Sequence, residues 1–206
     1  MDQQNLKNII FDFGDIFIDL DKEAPLKKVK KLGLKELSEE TVKVNQAYEK
    51  GLISTPDFID HYANILPEAS KDKLKEAWNA IILDFPEYRL NFIEKLASEK
   101  NYNLFLLSNT NELHIEEVIR RMGLSRYNRF KNCFKRFYLS HEINLRKPDG
   151  EIYHYVLNEN GLEATQTLLI DDTAENTIVA EKLGLIVWNL IPGKEDITEL
   201  PMKYLL

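Results

Sequence analysis

Apolar residues in this chain gather in short unbroken runs that stop abruptly at polar ones. Ile9-Ile10-Phe11 stops at Asp12, Leu104-Phe105-Leu106-Leu107 at Ser108-Asn109, and Leu168-Leu169-Ile170 at Asp171-Asp172. Runs this short, apolar at every position, predict strands buried on both faces, as in a parallel sheet covered by helices on each side. Helical spacing fills the intervals. It predicts helices over residues 87–100, 111–122, 147–160 and 173–183, the last three stopped by Gly123, Gly161 and Gly184. Shorter apolar stretches predict further strands at 136–139 and 185–188. The class is therefore α/β, a three-layer core around a parallel sheet.

One stretch departs from the alternation. Ile16-Phe17-Ile18 comes directly after the first strand and predicts a hairpin-like flap. From residue 23 to 83 the periodicity is helical, with breaks at Gly33, Gly51 and Pro67. Ser38 before Glu39-Glu40-Thr41, and Thr55-Pro56-Asp57, read as helix starts. The division this predicts is a core of residues 1–21 and 87–206, with a helical insertion at 22–86.

Composition narrows the partners. With 206 residues, 44% apolar and 30% charged, the chain holds one full domain and an insertion, not two large domains. A net charge of −7 argues against a nucleic-acid binder or an anionic-membrane binder. The lysines at 27, 28, 30 and 31 alternate with Val29 and Leu32, as the wet face of a helix does. A lone cysteine, Cys133, excludes an internal disulfide framework and fits a reducing, cytoplasmic location. No apolar run reaches membrane-spanning length, and the N-terminus lacks a cleavable leader pattern. His61, His114, His141 and His154 show no metal-ligand spacing and read as packing or surface residues.

A parallel sheet gathers the residues at its strand ends along one edge, so Asp12, Ser108, Asn109, Asp171 and Asp172 converge there. Taken singly, each has an ordinary explanation. Asp172 before Glu175, and Asn109 before Glu112, resemble helix caps, and Lys147 a surface lysine. Together they do not. Like charges about 4 Å apart cost ~4 kcal/mol at an effective dielectric near 20. A divalent cation removes that cost, and an all-oxygen site favours Mg²⁺. Lys147 and the N–H groups at the helix starts add positive charge suited to a phosphate. In such surroundings Asp12 can attack phosphorus.

The motifs in order are Ile9-Ile10-Phe11-Asp12-Phe13-Gly14-Asp15, Leu107-Ser108-Asn109-Thr110-Asn111, Arg146-Lys147-Pro148-Asp149 and Leu169-Ile170-Asp171-Asp172-Thr173-Ala174-Glu175-Asn176. In this order and spacing the chain resembles the haloacid dehalogenase superfamily, nearest the branch that includes bacterial glucose-1-phosphate phosphatases. That resemblance implies a Rossmann-like core with a helical cap inserted after the first motif. It implies Asp12 as the nucleophile that forms an aspartyl-phosphate, and Ser108, Asn109 and Lys147 around the phosphoryl group. It further implies Mg²⁺ held by Asp12, the Gly14 carbonyl and Asp172, with Asp171 acting directly or through water. A small phosphorylated metabolite, such as a sugar phosphate, is the expected partner; no oligomeric state is implied.

One position departs from the family pattern. Where its phosphatases carry a second aspartate two residues after the nucleophile, this chain has Gly14. General acid–base help is worth about 10²–10⁴ in rate. Asp15, or a cap residue such as Glu49 or His61, is a candidate to supply it, although strand alternation turns Asp15 elsewhere. The absent acid keeps two other classes open. These are a 2-haloacid dehalogenase, which needs neither metal nor acid, and a non-catalytic phosphate-binding protein on the same fold.

Overall fold

The computed structural model describes residues 6–204. Five strands form one sheet: β1 (Asn8–Phe11), β2 (Asn103–Ser108), β3 (Arg136–Leu139), β4 (Thr167–Asp171) and β5 (Ile186–Asn189). Their order is β3-β2-β1-β4-β5, and every pairing is parallel. The order reverses around β1, which makes its carboxyl end the switch point where open α/β sheets bind ligands.

Although the strand runs are apolar throughout, side chains alternate between two faces, and each face meets its own helices. Ile9, Phe11, Leu104, Leu106, Leu168 and Ile170 face one layer. It contains α5 (Glu87–Glu99), α6 (Glu112–Met122), α7 (Leu124–Lys131) and the C-terminal α11 (Leu200–Tyr204). Ile10, Phe105, Leu107 and Leu169 face the other, against α9 (Gly150–Asn160) and α10 (Ala174–Lys182). A single helical turn, α8 (Ser140–Ile143), comes after β3. Each fully buried side chain of this size is worth about 1.5–3 kcal/mol relative to exposure, so the sheet's two faces dominate stability.

Residues 16–18 form no flap. Asp15 turns at φ 55°, its N–H donates to the Ile18 carbonyl (2.7 Å), and Ile16, Phe17 and Ile18 are buried. Phe17 packs with Phe11, Phe130 and Phe134 at ring separations of 5.0–6.2 Å, so the segment is core, not cover.

Four helices lie between β1 and α5: α1 (Ala24–Lys31), α2 (Glu39–Glu49), α3 (Thr55–Ile65) and α4 (Lys71–Trp78). Ser38, Ser54 and Ser70 cap the last three through their side-chain oxygens. These helices share an apolar cluster of their own, built on Tyr48, Phe58, Tyr62 and Leu74, to which α6 contributes Leu113. Trp188 is core, whereas Trp78 is half-buried where α4 meets α6. Among the described residues no helix is long and apolar enough to cross a membrane.

Candidate active site

Asp12 stands one residue past β1, where its N–H donates to the Ile170 carbonyl of β4 (2.9 Å). The sheet's register thus carries directly into the site. Lys147 enters from the loop ahead of α9 and is completely buried. Its Nζ donates to Asp171 Oδ2 (2.6 Å) and lies 3.0 Å from Asp12 Oδ1. That second approach is off-angle for a hydrogen bond, so the buried Asp12 Oδ1 has no donor among the described residues.

Asp171 is saturated. Besides Lys147, it accepts from the Thr173 N–H (2.9 Å) and from Asn176 Nδ2 at both oxygens (2.9 and 3.1 Å). Asn176 sits one helical turn beyond the strand end, and its carbonyl accepts from Tyr153 Oη (2.9 Å). Asn109 pins the same lysine from the other side. Its Nδ2 donates to the Lys147 carbonyl (2.7 Å) and its Oδ1 accepts from the Lys147 N–H (2.9 Å). Neither Asn109 nor Asp172 caps a helix: Asn111 caps α6, and Thr173 precedes α10.

Asp172 meets Lys22, whose ammonium also reaches Asp15 Oδ2 at 3.0 Å. Asp15 Oδ1 accepts from the Leu20 N–H (3.0 Å), which commits that carboxylate to its own loop. Lys22 and Asn176 therefore join the candidate site, and strand-end patterning does not find them. Lys22 lies in an exposed-looking polar stretch 150 positions from its partner.

The charges show how tightly this edge is drawn together. Burial pushes the Asp12 carboxyl up to about 7; Lys147 pulls it back, while Asp171 and Asp172 push it further up. Burial opposes the Lys147 charge, but Asp12 and Asp171 outweigh it and the net shift is upward. Asp172 is also raised, by burial first, against the pull of Lys22. One carboxylate oxygen from each of Asp12, Asp171 and Asp172 lies within 4.8 Å of the others. An oxygen-only cluster, a buried Asp12 oxygen that accepts no hydrogen bond and an ammonium already drawn to Asp172 together fit a hard divalent cation.

A cavity of about 100 Å³ opens beside this cluster, lined among others by Gly14, Leu20, Glu49, Ser108, Asn109 and His114. Ser108 makes no side-chain hydrogen bond among the described residues, leaving its hydroxyl for a ligand. At Gly14 a Cβ would come within 2.6 Å of Leu20 Cδ1, so Leu20 takes the space a side chain there would need. Of the candidates for the absent acid, Glu49 lines the cavity; His61 does not, and bonds Thr41 Oγ1 (3.2 Å) instead.

The model of the haloacid dehalogenase-like hydrolase family matches residues 9–189, and the chain belongs to that family of hydrolases. Among its relatives, a D-ribitol-5-phosphate phosphatase from Bacteroides thetaiotaomicron is 26% identical over 185 residues, covering 87% of this chain and 89% of that protein. A crystal structure of a haloacid dehalogenase family enzyme from the same organism, a magnesium complex, matches with TM-score 0.82 at 31% identity over 93% of this chain and 96% of that one. The same enzyme in complex with magnesium and inorganic phosphate gives 0.80 at 30% identity, covering 92% and 96%.

Proposed function

We propose that this protein is a Mg²⁺-dependent phosphatase for a small phosphorylated metabolite, a sugar or sugar-alcohol phosphate, working through an aspartyl-phosphate on Asp12. The observation that carries the reading is Lys147, wholly buried and held between Asp12 and Asp171. Burying an ammonium is costly unless it is paired, and a cation placed beside a nucleophilic carboxylate serves the approach of an anion. The magnesium and phosphate complexes of the family relative, and the phosphatase activity named for the other, support the same reading.

In this reading Asp12 attacks phosphorus while Lys147 screens the two negative charges from each other. The Ser108 hydroxyl donates to a phosphoryl oxygen. Asn109 contributes through its backbone N–H, because its side-chain amide is committed to Lys147. Asp171 and Asn176 hold Lys147 in place. Asp12, Asp172 and the Gly14 carbonyl would hold Mg²⁺, with Asp171 behind them; when bound, it neutralises phosphoryl charge as a Lewis acid. Residues 22–86 act as a cap over the core of residues 1–21 and 87–206, excluding water from the cavity. The partner is a small molecule, neither nucleic acid nor membrane, and the single free Cys133 suits the cytosol.

Turnover on a panel of sugar, sugar-alcohol, nucleoside and acyl phosphates, with Mg²⁺ and with EDTA, tests the reading. Activity that requires Mg²⁺ supports it. Asp12→Asn is expected to keep the fold and lose turnover by several orders of magnitude; wild-type-like activity would take Asp12 out of the chemistry. Silence on the panel with chloride release from 2-chloropropionate would identify a dehalogenase. Silence in both assays with Mg²⁺ still bound would identify a binding protein.

A further inference from the structure

Gly14 leaves the departing alkoxide without the acid that the family pattern places there, and the cavity beside it shows which group is in a position to take over. Among the described residues lining that cavity, only Glu49 and His114 are ordinarily titratable. His114 is spent. Its ring stacks on Trp78 (5.3 Å, 17°), its Nδ1 accepts from Asn111 Nδ2 (3.1 Å), and its Nε2–H donates to the Trp78 carbonyl (3.3 Å). Both nitrogens are engaged by Asn111 and the Trp78 carbonyl, and burial holds the ring neutral, down at about 4.

Glu49 is the last residue of α2. Arg146 Nη2 lies 3.1 Å from its Oε2, and Arg146 is the one ion-pair partner of this carboxylate among the described residues. Its backbone is clamped to the core. Ser140 Oγ reaches the Glu49 carbonyl (2.6 Å), Lys50 Nζ meets Asp149 Oδ2 (2.7 Å), and Asn144 Nδ2 donates to the Lys50 carbonyl (2.7 Å). The next residue, Gly51, packs against the His141 carbonyl with no room for a side chain. These contacts fix α2's end on the loops after β3, so Glu49 is held at the cavity wall.

We infer that Glu49 is the general acid–base residue of this enzyme, supplied by the helical insertion in place of an aspartate at position 14. The inference rests on the phosphatase reading. In the first half-reaction an Asp12 oxygen bonds to phosphorus, the bond from phosphorus to the leaving oxygen breaks, and Glu49 gives its proton to that oxygen. In the second, Glu49 takes a proton from water as the water oxygen bonds to phosphorus and the Asp12–phosphorus bond breaks. The products are alcohol and hydrogen phosphate, and both carboxyl groups return to their starting states. Burial raises the Glu49 carboxyl against the pull of Arg146, which helps it carry a proton.

Glu49→Gln separates this role from a structural one through leaving-group dependence. kcat/KM reports only steps up to departure of the first product, so it isolates the proton donation. For a sugar-alcohol phosphate, whose alkoxide needs a proton, kcat/KM is expected to fall by about 10²–10⁴. For 4-nitrophenyl phosphate, whose phenolate leaves unaided, the loss should shrink to a few-fold. Equal losses on both esters, or none on the alkyl ester, would overturn the inference, with circular dichroism confirming that the variant is folded. A wild-type enzyme silent on both esters would remove the phosphatase reading and this one together. Wild-type activity with equal losses in Glu49→Gln would remove only this one.

Discussion

His114 illustrates how a single residue's surroundings set a measurable property of the protein. Stacked on Trp78 with both ring nitrogens bonded, it titrates at about 4, whereas an unfolded chain's histidine titrates near 6.5. Above pH 6.5 both states are neutral and the residue contributes no pH dependence. As pH falls from 6.5 to 4 the unfolded chain takes up a proton that the folded ring refuses, so stability drops. The shift corresponds to a loss of about 2–3 kcal/mol. Urea unfolding at pH 7 and pH 4.5 should show that drop, and His114→Gln should reduce it; an identical drop in the variant would assign it to other groups. At this scale the sequence is partly legible. Asp12, Ser108, Asp171 and Asp172 declare themselves because each ends an apolar run. Glu49 stands among three candidates for the absent acid with nothing local to choose it. Lys22 and Asn176 do not declare themselves at all, because their local patterns are those of ordinary loop and helix residues. Their partners lie far along the chain or one helical turn past a strand.

Among the elements, the seam between α2 and α8 joins the helical insertion to the sheet. Gly51 sits there at φ +65°, and a Cβ would lie 2.0 Å from the His141 backbone oxygen. Gly51→Ala therefore meets both a left-handed backbone penalty of about 1–2 kcal/mol and a clash that only backbone movement relieves. The expected outcome is a lower urea midpoint with unchanged m-value, together with reduced kcat/KM, since Glu49 is two residues away. Stability and activity both at the wild-type level would mean that the seam is looser than the contacts require. The strands and the longer helices are legible from run length and glycine stops. The turn at residues 16–18 and the short α7 are not. Ile16-Phe17-Ile18 has the composition of a strand, and only packing against Phe11, Phe130 and Phe134 turns it inward. Two buried residues, Tyr127 and Phe130, are too few to declare α7 by periodicity.

Across the whole molecule, the dominant tension is three carboxylates drawn to one sheet edge. Removing their repulsion links metal binding to global stability, because the unfolded chain scatters the same residues. Mg²⁺ at ~100 times its dissociation constant should add about 2.7 kcal/mol, and a chain of this size gains roughly 2–4 °C in Tm per kcal/mol. Differential scanning fluorimetry with Mg²⁺ against EDTA reads this shift. Asp172→Asn is expected to abolish most of it, and a full shift in that variant would exclude Asp172 as a ligand.

The parallel α/β class, the run of helices after the first strand and the polar residues at strand ends are all written in the chain itself. Local periodicity encodes these, since a strand buried on both faces must be apolar at every position. How those residues are shared out is set by packing between distant segments. It commits Asn109 to Lys147 rather than to a helix start, closes Asp15 onto its own loop, and sets Glu49 on the cavity wall while turning His61 away. The placing of Asn109 and Glu49 depends on contacts with segments 38 and 91 positions away, which no short-range pattern records.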